Sequence, residues 1–249
     1  MASTATTIVS ASSFAAGFSQ TYGQLLALRG IVVDYGTQDV PLKEYSLRSA
    51  IRIAIHTVLD SLKAGYLRGN ARIPIAQVFC DSGHEPDAVF DAVQNAPVPL
   101  MPILGRGETQ MDKRRYNSPS KKSAIIREID PDGRWHVAKV KRANVYQLTL
   151  DADHAKRWVD SSMRLPIGAD GSLSLFAGPE STHRRFIRHQ LNEQWIVEEL
   201  PGEAPKGRWA RTGANHFKDA LAYSAVAAWR VASTSAKAAG KNADSEWSY

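Results

Sequence analysis

The chain has 249 residues, 43% hydrophobic and 22% charged, which is ample for a packed core and ordinary for a globular protein. A net charge of +6 with a pI near 9.4 permits a polyanionic partner, and fits a bland basic surface equally well. The lone cysteine, Cys80, excludes an internal disulfide and a cysteine-based zinc site, and no run reaches the roughly 18 apolar residues of a membrane span.

Residues 1–20 are rich in Ala, Ser and Thr and read as a leader or a degenerate first strand. They lack the basic start and continuous apolar stretch of a signal peptide, so the expected location is a reducing cytoplasm. Leu25, Leu26, Leu28, Ile31, Val32 and Val33 predict one or two strands broken at Gly30. Ser46 then reads as a helix cap. Leu47, Ile51, Ala54, Ile55, Val58 and Leu62 follow at helical spacing, and Gly65 ends the run. Ile75 to Asp81 reads as a buried strand. Glu85-Pro86-Asp87 opens a helix, and Leu100 to Leu104 is a short strand.

Gly105 to Ser123 is a loop by composition, and Lys113, Arg114, Arg115, Lys121 and Lys122 lend it the charge to hold a phosphate backbone. The same residues would suit a solvated surface. Trp135 to Leu150 alternates as a hairpin or one long strand. Asp153 to Met163 predicts a helix, Leu173 to Phe176 a strand, Thr182 to Asn192 a basic helix, and Trp195 to Val197 a strand. Gly202 to Gly213 reads as a linker carrying Arg208 and Arg211 around Trp209. A last helix runs from about Asn215 to Ala232 before a flexible tail at 233–249. The stretch 21–232 has no internal repeat and no domain boundary.

Two short segments carry chemistry. In Asn215-His216-Phe217-Lys218-Asp219-Ala220-Leu221-Ala222-Tyr223, His216, Asp219 and Tyr223 share one helical stripe. Phe217, Leu221, Ala225 and Ala228 form the apolar stripe beside it. An acid and an imidazole in the first turn of a packed helix suit a metal site or acid–base pair, but also suit simple complementation of the helix dipole. In Phe79-Cys80-Asp81-Ser82-Gly83 an apolar run ends in an acid, the place where open α/β sheets bind ligands. A turn or cap residue has the same appearance. His56, His136, His154, His183 and His189 lack metal-ligand spacing and read as surface or packing residues.

Together these segments resemble the nuclease domain of the large terminase subunit of tailed bacteriophages, the lambda-type family. There a strand ending in D-S-G precedes a helix, and an N-H-x-x-D-A-x-x-Y helix lies near the C-terminus. The resemblance takes in Val32-Val33-Asp34-Tyr35-Gly36-Thr37 and covers roughly residues 30–232. It implies an α/β fold with a ribonuclease-H-like mixed sheet flanked by helices. It also implies a two-metal site for magnesium or manganese, with Asp81 and Asp219 as ligands, His216 positioning or protonating at the metal site or contacting the scissile phosphate, and double-stranded DNA as substrate. A separate ATPase domain, a small terminase subunit and a portal are the partners it suggests. No G-x-x-x-x-G-K-S/T sequence is present, so the likeness is to the nuclease half alone.

The family carries a further metal-binding aspartate on its first strand, in a sequence resembling F-I-D-V-Q. The corresponding stretch here, Ser10 to Ser13, has no acid, and Asp34 is the nearest substitute. Three functions therefore compete: a terminase-like DNA endonuclease, an inactive remnant that binds DNA, and an unrelated α/β enzyme using Asp81 otherwise.

Overall fold

The computed structural model describes residues 29–107, 125–130, 132–199, 201–202 and 205–245, with side chains for all of these except Lys206 and 234–245. In chain order the elements are β1 (Gly30–Val32), α1 (Leu47–Leu62), β2 (Tyr66–Arg68), β3 (Ala71–Ile73), β4 (Val78–Asp81), α2 (Pro86–Gln94), β5 (Leu100–Arg106), β6 (Ile126–Ile129), β7 (Trp135–Val140), β8 (Val145–Asp151), α3 (Ala152–Met163), β9 (Leu173–Leu175), α4 (Glu180–Leu191), β10 (Glu193–Glu198), β11 (Lys206–Arg211) and α5 (His216–Ser245).

The main sheet has the order β4-β5-β8-β7-β6, with β4, β5 and β8 mutually parallel and β7 and β6 antiparallel additions. Side chains of a strand alternate between faces, and the core divides accordingly. Val78 and Cys80 of β4 join Ile51, Ile55 and Leu59 of α1 and Ala88, Val89 and Ala92 of α2 in one cluster. Phe79, from the opposite face of β4, packs with Met101, Ile103, Leu148 and Leu150 against Phe217, Leu221 and Ala225 of α5. The sheet is thus covered on both faces, as its parallel half requires. Asp81 lies two residues beyond Phe79 and so belongs to the α5 face.

One guanidinium ties the sheet's margins together. Arg230 on α5 donates to Glu128 of the edge strand β6 at 2.9 and 2.7 Å and to Gln77, just before the opposite edge strand β4, at 2.7 Å. The sheet therefore wraps around α5 closely enough for a single side chain to reach both ends.

Several expected elements form as read: α1 behind Ser46, α2 with Pro86 in its first turn, the β7–β8 hairpin, α3, β9, α4 and β10. Ser46 holds the cap position without capping, since its hydroxyl donates to Ser49 Oγ at 3.1 Å. Two expectations are corrected. The stretch read as a linker, Gly202 to Gly213, contains β11, paired in register with β10 through Trp195↔Trp209. The tail at 233–249 is helical as far as Ser245, because its alanines and lysines favour helix without needing a packed face. The basic loop residues Lys113, Arg114, Arg115, Lys121 and Lys122, and the Ser10–Ser13 stretch, lie outside the described residues. None of the helices searched is long and apolar enough to cross a membrane.

Candidate functional site

Four elements meet at the carboxyl end of β4. Asp81 terminates that strand, and its Oδ1 accepts the Gly83 amide at 2.8 Å, which fixes the carboxylate in a tight turn. Ser82, buried behind it, donates to the Ile103 carbonyl and accepts from Gln147 Nε2 at 2.6 Å. Asp219 comes from the first turn of α5, where the helix dipole favours an acid. Asn215 precedes that turn, and its carbonyl accepts the Lys218 and Asp219 amides.

The charges of Asp81 and Asp219 act on each other. Burial is the largest influence on both carboxyls and raises both above the usual carboxylate range; Asp219 raises Asp81 further and Glu193 raises Asp219, with Lys156 pulling both back. Asp81 exposes considerable surface and yet is surrounded by protein on most sides. That combination describes a carboxylate that is partly desolvated and can still be reached from solvent.

Sequence reasoning missed the residues that hold Asp219. Lys156 of α3 places its Nζ 2.7 Å from Asp219 Oδ1 and 2.9 and 3.0 Å from the two oxygens of Glu193, the first residue of β10. Glu193 also accepts from Asn215 Nδ2 at 3.0 Å. Burial works against the Lys156 ammonium, but Asp219 and Glu193 outweigh it and its pKa is raised. Lys218 is fully buried: its Nζ contacts Asp160 Oδ1 at 2.8 Å and the Glu193 carbonyl at 2.7 Å, and sits 4.2 Å from the centre of the Trp209 ring. Tyr223, one turn after Asp219, hydrogen-bonds the Gly105 backbone, and burial together with Asp81 and Asp219 drives its phenol well up. Gly105 is needed there, because a β-carbon would stand 2.9 Å from the Tyr223 hydroxyl.

The remaining expected residues separate. His216 is exposed at the start of α5 and lowers the Asp219 carboxyl, which places it at the rim. Its ring meets that of His189 edge-on at 6.0 Å. Asp34 stands apart: it follows β1, accepts the Tyr66 hydroxyl at 3.3 Å, and is not among the main charges acting on Asp81 or Asp219. Cys80 is the small buried hydrophobe expected, its thiol pushed up to about 12 by burial. His183 bonds Tyr35 at 2.7 Å, and His189 accepts the Phe217 amide at 3.3 Å, so both have the packing role read from sequence.

Divalent cations of the magnesium type are held by one or two carboxylates, with water and phosphate oxygens completing the shell. Asp81 and Asp219 fit such an ion, each being engaged by the protein through a single oxygen in the contacts above. Among the described residues no group of three His, Cys, Asp or Glu side chains is placed to hold a metal.

His189 and His154 give the fold a pH dependence. Burial lowers both imidazoles below the ordinary 6.5. The unfolded chain therefore takes up these protons first as pH falls, and stability is lost from about pH 6.5 down to the folded-state values. Asp81 and Asp219 act oppositely, since their raised pKa lets the folded chain bind protons before the unfolded one does, at pH values above 3.8. Thermal melts across pH 7.5 to 5 should show a falling midpoint below about 6.5, flattened by His189→Asn with His154→Gln. A midpoint that rises through that window contradicts the assignment.

Compared with protein-family models, curated proteins and solved structures, the chain matches none, and its reading rests on its own residues.

Proposed function

We propose that this chain is a divalent-metal-dependent endodeoxyribonuclease of ribonuclease-H-like type, resembling the nuclease half of a terminase large subunit that cuts DNA during genome packaging. The observation that carries this reading is the meeting of Asp81 and Asp219, one at the carboxyl end of a parallel strand and one opening a packed helix, on one face of a mixed sheet. Magnesium or manganese bound there would activate water and neutralise charge on the leaving oxygen of a phosphodiester. The chain's own residues supply the rest. Asp81 and Asp219 anchor the cation. Lys156 and Glu193 hold Asp219 in place, and Tyr223 packs beneath the two acids against Gly105. His216, exposed at the rim, is positioned to contact phosphate.

The DNA path follows from charge. Arg184, Arg185 and Arg188 are exposed on α4 and make no ion pair with the described residues. The inner side of that helix carries His189, on which the charges of Arg185 and Arg188 act, beside His216. Each phosphate contact contributes roughly 0.9 to the slope of log K against log salt. Replacing the three arginines with alanine should therefore reduce that slope by about 2–3. An unchanged slope removes α4 from the DNA surface and leaves the loop bearing Lys113 to Lys122.

A plasmid-nicking assay with magnesium, manganese or chelator tests the proposal: cation-dependent nicking is the expected result. The lack of an acid in Ser10 to Ser13 is what favours a second reading, an inactive remnant that binds DNA. Salt-sensitive binding without nicking under either cation would establish that alternative.

A further inference from the structure

We propose that the Lys156 ammonium permanently occupies one cation position of this acid cluster, so that the site takes a single divalent ion instead of a pair. The inference rests on the metal-dependent reading above. A lysine held between two acids is the central fact: its Nζ contacts one oxygen of Asp219 at 2.7 Å and both of Glu193 at 2.9 and 3.0 Å, its charge also acts on Asp81, and only 12% of the side chain is exposed. These are charge-assisted contacts from several directions, the environment a bound cation would have.

The lysine cannot easily withdraw. Leaving would strand Glu193, itself buried, with only Asn215 as partner, and an uncompensated buried carboxylate is strongly unfavourable. Glu193 is equally committed, with both oxygens on Lys156 and one also on Asn215. That leaves Asp81 and Asp219 to meet an incoming ion. Charge agrees with geometry: three carboxylates less one ammonium leave two negative charges, which one divalent ion balances. A second would face a resident cation at the 2.7 Å contact on Asp219, where like charges repel strongly because the site is partly desolvated.

Calorimetric titration of the full chain with manganese, with bound ions counted by electron paramagnetic resonance and no DNA present, tests this. The parent should take one ion and Lys156→Met two, while Asp81→Asn should take none. Lys156→Gln keeps a hydrogen-bond donor without the charge and replaces Lys156→Met if the latter fails to fold by circular dichroism. It should also take two. Two ions in the parent, or one in both Lys156 variants, overturns the inference and leaves the metal-dependent reading standing. No ion in any chain, or an ion unaffected by Asp81→Asn, overturns the metal-dependent reading itself.

Discussion

Asp219→Asn is expected to abolish cleavage while making the protein more resistant to heat. Asparagine keeps the shape and loses the charge that holds a hard cation. Removal of a group that organises transition-state charge lowers rates by about 10²–10³-fold or more. The stability gain has a separate cause. Burial makes the Asp219 carboxylate costly, and its raised pKa shows that Lys156 only partly offsets that cost. After the substitution Lys156 retains both oxygens of Glu193, so no ammonium is stranded. Asp81→Asn should behave alike, since burial also dominates there and Asp219 adds repulsion. Nicking and thermal melting on the same preparations check both limbs. Loss of cleavage with a lowered midpoint would mean that the acid is structural. Undiminished cleavage would remove it from the chemistry. Activity exchanged against stability in this way is the usual signature of a working site.

Lys218→Met should give the largest loss of stability of any single change considered. Its ammonium is fully enclosed, bonded to Asp160 and to the Gln190 and Glu193 carbonyls, and capped by the Trp209 ring. Methionine fills similar volume but leaves two buried carbonyls and a carboxylate without their donor. Breaking a buried ion pair from one side costs about 3–5 kcal/mol. At roughly 2–4 °C per kcal/mol for a chain of this size, the melting midpoint should fall by about 6–20 °C. Adding Asp160→Asn should recover part of the loss, because the unpaired charge disappears with it. A midpoint within about 2 °C of the parent would show that the pair contributes little net energy.

The parts legible in the sequence are those whose signals are local. Helical spacing and punctuation located α1, and a run ending in Asp-Ser-Gly located β4 with its acid at the end. β11 escaped because Lys-Gly-Arg-Trp-Ala-Arg has the look of a linker. Its glycine is explained only by the partner strand, since a β-carbon at Gly207 would lie inside the Trp195 ring. The β2–β3 hairpin was missed because its strands have three residues each and Gly69-Asn70 is all that marks the turn. Lys156 and Glu193 belong to no motif and meet only in three dimensions. Lys218 did carry a signal: with Leu221, Ala222 and Ala225 it occupies the buried spacing of α5, and a lysine at such a position implies a buried partner.

The acid cluster draws its charges from β4, α3, β10 and α5, and so from points spread across more than half of the chain. A ribosome that has released β4 has made one acid and none of its counterparts. Lys156 and Glu193 follow well afterwards, and Asp219 emerges only with the last helix. Until then the nascent chain lacks a complete cluster, and Asp81 remains an isolated carboxylate in water. Premature termination anywhere before α5 likewise yields a fragment without Asp219. The late position of that helix among the described elements means that the acid cluster can assemble only once α5 has been made.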